Sequence, residues 1–254
     1  MMRFLAAVMC AGCLLTPLKA EPAKYVALTF DDGPSGTFTE TLLEGLGDRN
    51  VKATFFLCGY RLKQYPELAQ RMFQEGHEIG CHGYSHSPMQ NMSRRQVAQE
   101  ISDTQALLPE GCRIRFLRPP GGLAGDGVRD VSQVRGLSIL SWSVDPKDWA
   151  TQDQKAVEQR ILSRVKDGDV VLMHDMTQSS VQAALNVVDV LQRQGYEFLT
   201  VSELAKRRQT RLEPGQTYCR FPPKPETAQK AEASPTRMDG RQEQLPQKVE
   251  KWGS

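Results

Sequence analysis

The sequence predicts an α/β fold in which repeated strand–helix units build a parallel sheet. Short apolar runs rich in β-branched and aromatic residues alternate with longer segments whose apolar residues recur at helical spacing. About seven such units fit in the chain of 254 residues. Their number is compatible with a closed or nearly closed barrel and with a doubly wound open sheet. In both folds, functional groups gather at the carboxyl ends of the strands.

The elements follow one another in a regular order from the first strand. A change from alternating to helical apolar spacing marks each boundary, and Ser93 with Gln96 predicts a capping box at one helix start. The predicted strands are residues 25–30, 52–57, 77–81, 113–117, 137–144, 169–173 and 196–200. The predicted helices are residues 37–47, 62–73, 93–108, 125–135, 153–165, 179–194 and 201–206.

The two ends of the chain differ in composition from the region between them. Residues 1–20 combine Arg3 with an apolar run that is too short to span a bilayer, which is typical of an export signal cleaved before Glu21. Residues 21–221 form the predicted domain. Residues 222–254 are rich in proline and charge, which predicts a disordered tail. We therefore expect a periplasmic or secreted protein.

An alternative reading of the leader concerns Cys13. Ala11-Gly12-Cys13 resembles a bacterial lipoprotein box, in which Cys13 would carry the lipid. Membrane attachment is expected only in that case. The formal net charge of +2 gives no basic field for nucleic-acid binding. The sequence makes no prediction of the oligomeric state.

Four cysteines remain after removal of the leader. An even number in an exported protein permits two disulfides with three possible connectivities. Cys58 and Cys81 each end a predicted strand, so we expect them to lie on neighbouring strands and to pair, which leaves Cys112 with Cys219. Buried free thiols are the alternative.

Two adjacent carboxylates, Asp31 and Asp32, end the first predicted strand just before Gly33-Pro34. Neighbouring carboxylates raise one another's pKa, so a site that keeps both ionised requires a cation. One carboxylate would then hold a metal while the other acts as a base. A surface turn capped by two aspartates is the competing interpretation.

His82 and His86 follow the third predicted strand at a spacing of i, i+4. Together with one aspartate they form a set of two histidines and one carboxylate, which leaves coordination positions for water and substrate. Other predicted strands also end in polar groups: Arg118 after the fourth, Asp145 and Asp148 after the fifth, and His174 after the sixth. By itself, Arg118 is more typical of a surface arginine, and Asp145 and Asp148 are more typical of turn residues, but their joint order indicates a site.

The motifs in this order resemble those of the polysaccharide deacetylases, the NodB-homology enzymes of carbohydrate esterase family four. They are TFDDGPS (Thr29–Ser35), HGYSH (His82–His86), RPPGG (Arg118–Gly122), DPKDW (Asp145–Trp149) and LMH (Leu172–His174). The resemblance covers about residues 25–204. It implies a distorted (β/α) barrel and a bound divalent metal, most commonly Zn²⁺.

The resemblance also implies a role for each matched residue. The metal ligands would be Asp32, His82 and His86. Asp31 would be the general base, held and tuned by Arg118.

The remaining roles concern the leaving group and the substrate. His174 would be the general acid, oriented and kept protonated by Asp145. The backbone N–H of Gly121 would donate to the oxyanion, and Trp149 and Leu172 would form walls of the substrate groove.

Two positions depart from the usual family pattern. Gly83 stands where the family often has Ser or Thr, which removes a hydroxyl near the metal. Gly121 stands where the third motif usually has Tyr. Because the backbone N–H is retained and the ring is not, we expect a more open substrate site with the reaction unchanged.

The function expected from these features is metal-dependent removal of acetyl groups from an N-acetylated glycan such as peptidoglycan or chitin oligomers. An O-acetyl xylan esterase would use the same residues. A glycan-binding member of the fold that has lost catalysis is a further alternative. A non-haem Fe(II) oxygenase uses the same ligand types, but the aspartate precedes both histidines and an H-x-D motif is absent from the sequence.

Overall fold

The computed structural model describes residues 23–224. The predicted export signal and lipoprotein box lie outside the described residues, as does the predicted tail beyond residue 224. Within the described range, no helix is both long and apolar enough to cross a membrane.

A single sheet of parallel strands forms the centre of the molecule. Its order is β6-β1-β2-β3-β4-β5-β8, and β7 pairs with the first half of β1. The strands are β1 (Lys24–Asp31), β2 (Thr54–Leu57), β3 (Glu78–Cys81), β4 (Phe116–Leu117), β5 (Ser138–Leu140), β6 (Asp169–His174), β7 (Tyr196–Phe198) and β8 (Thr217–Tyr218). The seven predicted strands are confirmed; β8, a short strand, was not predicted.

The sheet curls into a distorted barrel, which confirms the predicted fold class over the open sheet. Just beyond β5, Val144 bridges to Val171 of β6, and the Leu172 amide donates to the Val144 carbonyl oxygen at 2.9 Å. At the opposite end of this seam, the Phe221 amide donates to the Gly168 carbonyl oxygen at 2.6 Å. The segment after β8 therefore fills the gap between β5 and β6 that the parallel pairing leaves open.

Alternation along β1 explains both the core and the site. Val26, Leu28 and Phe30 pack outward in the largest apolar cluster, together with residues of α1 and α7. Ala27 packs in a second cluster inside the barrel with Phe56 and Phe116. The same period directs Asp31 inward at the carboxyl end of the strand.

Eight helices of the described residues surround the sheet. They are α1 (Thr37–Asp48), α2 (Gly59–Gln64), α3 (Pro66–Gln74), α4 (Arg94–Gln105), α5 (Asp126–Val134), α6 (Gln154–Leu162), α7 (Gln178–Arg193) and α8 (Val201–Arg207). The capping box at Ser93 and Gln96 is confirmed. The single helix predicted over 62–73 is wrong, because Pro66 excludes helical backbone at Tyr65 and begins a new helix.

The cysteines do not form the expected disulfides. Cys58, Cys81, Cys112 and Cys219 are all free thiols. The ends of β2 and β3 are neighbours as predicted, but the register pairs Cys81 with Leu57. Because successive strand residues point to opposite faces, Cys58 and Cys81 project away from each other.

Candidate active site

A cleft of about 340 Å³ opens at the carboxyl ends of β1, β3, β5 and β6. All the predicted site residues line it, except Arg118, which lies buried beneath. Trp142 joins them without having been predicted. The lining residues are Asp31, Asp32, His82, His86, Gly121, Trp142, Asp145, Trp149, Leu172 and His174.

Asp32, His82 and His86 converge as a candidate metal centre. One donor atom from each lies within 4.8 Å of the others. Asp32 Oδ1 is 3.2 Å from His82 Nε2 and 3.0 Å from His86 Nε2, yet this buried oxygen has no hydrogen-bond partner. A tetrahedral zinc ion places its N and O ligand atoms roughly 3.4 Å apart. The spacing and the unpartnered oxygen therefore fit a bound divalent cation.

Backbone and side-chain contacts orient these ligands. The Arg118 carbonyl oxygen lies 2.7 Å from His82 Nδ1, which accounts for the second ring nitrogen and aims Nε2 at Asp32. Glu100 of α4 accepts hydrogen bonds from the Tyr84 and Ser85 amides at 2.6 and 2.8 Å, so it holds the loop that carries His86. Sequence reasoning missed Glu100, because α4 contributes no residue to the motifs.

Two of the three candidate ligands have a left-handed backbone. Asp32 has φ 72° and His86 has φ 59°. Non-glycine residues adopt this conformation at a cost of about 1 kcal/mol or more, and such strain tends to occur at functional sites. Burial alone would raise the pKa of Asp32, but His82 and His86 beside it outweigh this effect and hold the pKa well below its ordinary value.

Asp31 forms a buried pair with Arg118. Nη1 of Arg118 lies 2.6 Å from Asp31 Oδ1 and also donates to the Thr29 hydroxyl at 2.9 Å. Nη2 donates to the Ser141 carbonyl oxygen at 3.0 Å, and the guanidinium lies 4.1 Å from the ring centroid of Phe56. Burial lowers the pKa of Arg118, and the charge of Asp31 opposes this shift. Asp31 Oδ2 remains directed at the cleft, 3.8 Å from His82 Nε2.

The prediction that Asp145 is the partner of His174 is wrong, because Asp148 takes that place. Oδ1 of the buried Asp148 lies 3.0 Å from His174 Nδ1. Oδ2 of the same carboxylate accepts a hydrogen bond from the His174 backbone amide at 2.8 Å. Asp145 instead accepts from the Lys147 amide at 2.7 Å, within its own turn. Lys147 has φ 55°, and this turn sends Asp148 inward at the start of a 3₁₀ helix, Asp148–Ala150. Asp145 still lines the cleft.

The contact with Asp148 determines the charge of His174. Burial lowers the pKa of the imidazole, but the Asp148 carboxylate outweighs it and, with Asp31 and Asp32, raises the pKa to about 9. The ring is therefore an imidazolium at neutral pH. Because Nδ1 is bound to Asp148, the proton on Nε2 is the one available to the cleft.

The walls of the cleft are mainly apolar. Leu172 is buried, whereas the side chain of Trp149 is 65% exposed. Gly121 has φ 72°, and a side chain there would meet nothing within 4 Å, so this face is open as expected. Trp142 was treated in the sequence as part of a strand, although β5 ends at Leu140 and the indole faces the cleft.

Asp175, next to His174, is a second acid that the motifs did not assign. It is fully buried, and its carboxylate accepts a hydrogen bond from the Thr39 hydroxyl. A Cβ at Gly33 would lie 2.6 Å from Asp175 Oδ1, so this carboxylate fits against the turn that follows Asp32. Burial raises the pKa of Asp175 to about 6.

The fold and the cleft together define a class of protein. A parallel barrel here brings a two-histidine, one-aspartate cluster together with an arginine-bound carboxylate and a carboxylate-bound histidine. Such an arrangement is compatible with a hydrolase that uses a metal, a carboxylate base and a histidine acid.

Comparison with known proteins identifies the family. The profile of the polysaccharide deacetylases matches residues 19–140. Over 189 residues the chain is 35% identical to a peptidoglycan-N-acetylglucosamine deacetylase of Bacillus cereus, covering 72% of this chain and 89% of that protein. The chain belongs to the polysaccharide deacetylase family.

Two further similarities bear on the substrate. The peptidoglycan-N-acetylmuramic acid deacetylase PdaC of Bacillus subtilis is 37% identical over 74% of this chain, which spans 40% of the length of that protein. Among solved structures, a family 4 acetyl xylan esterase from Clostridium thermocellum in complex with a cobalt ion superposes with a TM-score of 0.73 and 32% identity. The alignment covers 78% of this chain and all of that one.

Proposed function

We propose that the protein is a metal-dependent hydrolase that removes acetyl groups from N-acetylated, N-acetylglucosamine-type glycans such as peptidoglycan or chitin oligomers. The observation that carries the proposal is that the Asp32–His82–His86 cluster, the carboxylate of Asp31 and the imidazole of His174 all line one cleft. The names of the bacterial relatives, which are peptidoglycan deacetylases, support the substrate class.

The cation proposed for the Asp32–His82–His86 cluster is Zn²⁺. One oxygen and two imidazole nitrogens form a borderline donor set that suits zinc and leaves positions for water and substrate. When bound, such a cation supplies a Lewis acid and lowers the pKa of a coordinated water. The neighbour solved with cobalt is consistent with a divalent ion in this family.

Asp31 is the proposed general base. Arg118 occupies its Oδ1 and fixes the plane of the carboxylate, so Oδ2 is the oxygen that takes the proton of the attacking water. The buried arginine also places a positive charge directly beside this carboxylate. Arg118 is thus a positioning residue.

The acetamide carbonyl gains negative charge as the water adds. The Gly121 N–H is the proposed donor from this chain to that oxygen, and backbone donors of this kind stabilise acyl-transfer transition states strongly. The amine is a poor leaving group and must be protonated as the C–N bond breaks. His174 supplies this proton from Nε2, and Asp148 maintains the imidazolium.

We also propose that the protein acts outside the cytoplasm. An exported location suits an envelope glycan, and residues 1–20 have the composition of an export signal. Mass spectrometry of the protein purified from its host would show Glu21 as the first residue. A lipid-modified Cys13 as the first residue would support the anchored alternative, and an intact Met1 would contradict export.

A second candidate is hydrolysis of O-acetyl groups on xylan. The resemblance to a solved acetyl xylan esterase favours it, since an ester would be cleaved by the same base and metal cluster. An ester has a better leaving group, so it depends less on protonation by His174. The two activities are therefore separable by the effect of replacing His174.

The experiment that tests the proposal measures product release from three acetylated substrates with the zinc-loaded protein. Amine release from chitooligosaccharides and from peptidoglycan would report N-deacetylation, and acetate release from acetylated xylan would report O-deacetylation. We expect amine release, with a large loss in the His174→Ala variant. Acetate release from xylan alone would favour the esterase, and no release from any substrate would favour a glycan-binding protein.

A further inference from the structure

Trp142 lines the cleft beside the proposed chemistry but is not one of the residues that carry it. We propose that Trp142 is a substrate-binding residue whose indole forms the wall on which the acetylated sugar packs. The proposal rests on the proposed function, because it specifies how the same cleft holds a pyranose ring.

The backbone at Gly122 determines the position of the Trp142 indole. A Cβ placed on Gly122 would lie 2.6 Å from Cη2 of Trp142, which is too close for any side chain. Gly122 also has φ 74°, a conformation that favours glycine. The ring therefore packs directly on the Gly122 backbone, which fixes it at the edge of the cleft.

The space next to the contact between Trp142 and Gly122 is open. Gly121 precedes Gly122, and a side chain there would meet no atom within 4 Å. Trp142 is thus an aromatic surface beside an unfilled region that also contains the proposed oxyanion donor. Trp149, on the same loop, contributes a second and largely exposed indole.

A pyranose ring suits such a surface. It presents apolar C–H groups on its faces and hydroxyls around its edge, so an aromatic face can bury the former while leaving the latter free to hydrogen bond. The charged groups of the cleft have other partners. Asp31 pairs with Arg118, His174 with Asp148, and Asp145 accepts from the Lys147 amide, while Asp32, His82 and His86 form the candidate metal cluster. Recognition of the sugar body consequently falls to the aromatic walls.

Trp142 has one other possible role. The Arg118 guanidinium lies 5.7 Å from its ring centroid, and Arg118 holds Asp31. A tryptophan that acted only through Arg118 would affect every substrate that needs the base. A sugar-packing tryptophan would affect only substrates that carry a sugar.

The experiment compares two substrates with the zinc-loaded protein: an N-acetylated chitooligosaccharide and 4-nitrophenyl acetate, which contains no sugar. For Trp142→Ala we expect KM for the chitooligosaccharide to rise about tenfold, as truncation of a buried aromatic contact commonly does, with a much smaller loss of kcat/KM for 4-nitrophenyl acetate. Trp142→Phe keeps an aromatic face and should retain most of the affinity. Phe73→Ala, a partly exposed ring on α3 outside the cleft, is the matched truncation control.

Each outcome is distinguishable. Equal losses of kcat/KM on both substrates, in Trp142→Ala and Trp142→Phe alike, would overturn the inference and assign Trp142 to positioning Arg118. An unchanged KM for the chitooligosaccharide would also overturn it. Failure of the wild-type protein to release amine while it hydrolyses 4-nitrophenyl acetate would instead contradict the proposed function. Thermal melting and bound zinc, measured for each variant, identify any loss that comes from misfolding.

Discussion

The two sides of the cleft are built differently. The β1–β3 side, which we define as Asp31, Asp32, His82 and His86, follows the ends of β1 and β3, the two strands that flank β2 in the sheet. The β5 side, which we define as residues 141–150, is a loop that returns to β6 through Val144. Asp31 and His82 are buried, whereas Trp149 on the β5 side is mostly exposed.

Under the proposed function, this difference separates the reacting groups from the surfaces that bind the sugar. On the β1–β3 side, partners in the core fix Asp31 and His82, and both partners belong to Arg118. On the β5 side, Val144 packs in the core, and Asp148 is the buried residue that binds His174. The groups proposed to react thus lie on the β1–β3 side and at His174 of β6, and the aromatic surfaces proposed to contact a sugar lie on the β5 side. Arg118 joins the two sides, since it also donates to the Ser141 carbonyl oxygen.

The largest expected effect comes from the β1–β3 side. Asp31→Asn keeps the shape of the side chain but removes the base, so we expect kcat to fall by about 10²–10⁴-fold. Metal content, measured by elemental analysis, should be unchanged because Asp31 is not in the proposed ligand set. Normal turnover in the pure, metal-loaded variant would remove Asp31 from the mechanism.

A second prediction concerns Asp148, the residue of the β5 side that contacts the proposed acid His174. Asp148→Asn removes the charge that raises the pKa of His174 to about 9, so this pKa should return to about 6.5 or lower. At pH 8 only about one molecule in thirty would then carry the imidazolium, which predicts a roughly 30-fold loss. The alkaline limb of the pH–kcat profile should move to lower pH.

Asp145→Asn is the matched control for this change. Asp145 lies in the same loop and keeps its hydrogen bond from the Lys147 amide when replaced by Asn. We expect its alkaline limb to coincide with that of the wild type. If Asp145→Asn shifts the limb and Asp148→Asn does not, the pairing seen in the structure does not operate in solution.

The smallest expected effect concerns the pH dependence of protein stability, to which Asp175 contributes from beneath the turn that follows Asp32. Burial raises the pKa of Asp175 from 3.8 to about 6. Because the folded pKa is raised, this group contributes stability below about pH 4 that is lost as the pH rises through 6, by at most about 3 kcal/mol. Asp175→Asn cannot ionise, so its melting temperature relative to the wild type should increase between pH 5 and pH 8. A constant difference across this range would show that Asp175 does not titrate there.

Most of the β1–β3 side could be predicted from the sequence. An alternating strand that ends in two aspartates has its carboxyl end defined by its own residues, and Gly33-Pro34 marks the stop. The i, i+4 spacing of His82 and His86 places both rings on one side when the segment forms a tight turn, and the loop held by Glu100 forms such a turn. Local pattern therefore indicated the strand–helix order and the candidate ligand types, and the resemblance to the family chose Asp32, His82 and His86 as the ligands.

The β5 side was predicted less well because its conformation is not local. Choosing between Asp145 and Asp148 depends on the left-handed turn at Lys147, which no periodicity reveals. Trp142 was assigned to a strand because β5 ends at Leu140, four residues before the end of the apolar run at Val144. The predicted disulfides were wrong for a related reason. The register of β2 and β3, and not the proximity of their ends, decides where Cys58 and Cys81 point.

The most direct test of the account is the dependence of amine release on bound metal. The protein would be stripped with a chelator, its metal content measured, and Zn²⁺ restored stepwise in the presence of an N-acetylated chitooligosaccharide. The account predicts no release from the stripped protein and release that rises with bound zinc to a plateau near one ion per chain, with His86→Ala requiring more zinc. Full release from protein whose measured metal content is zero would contradict it.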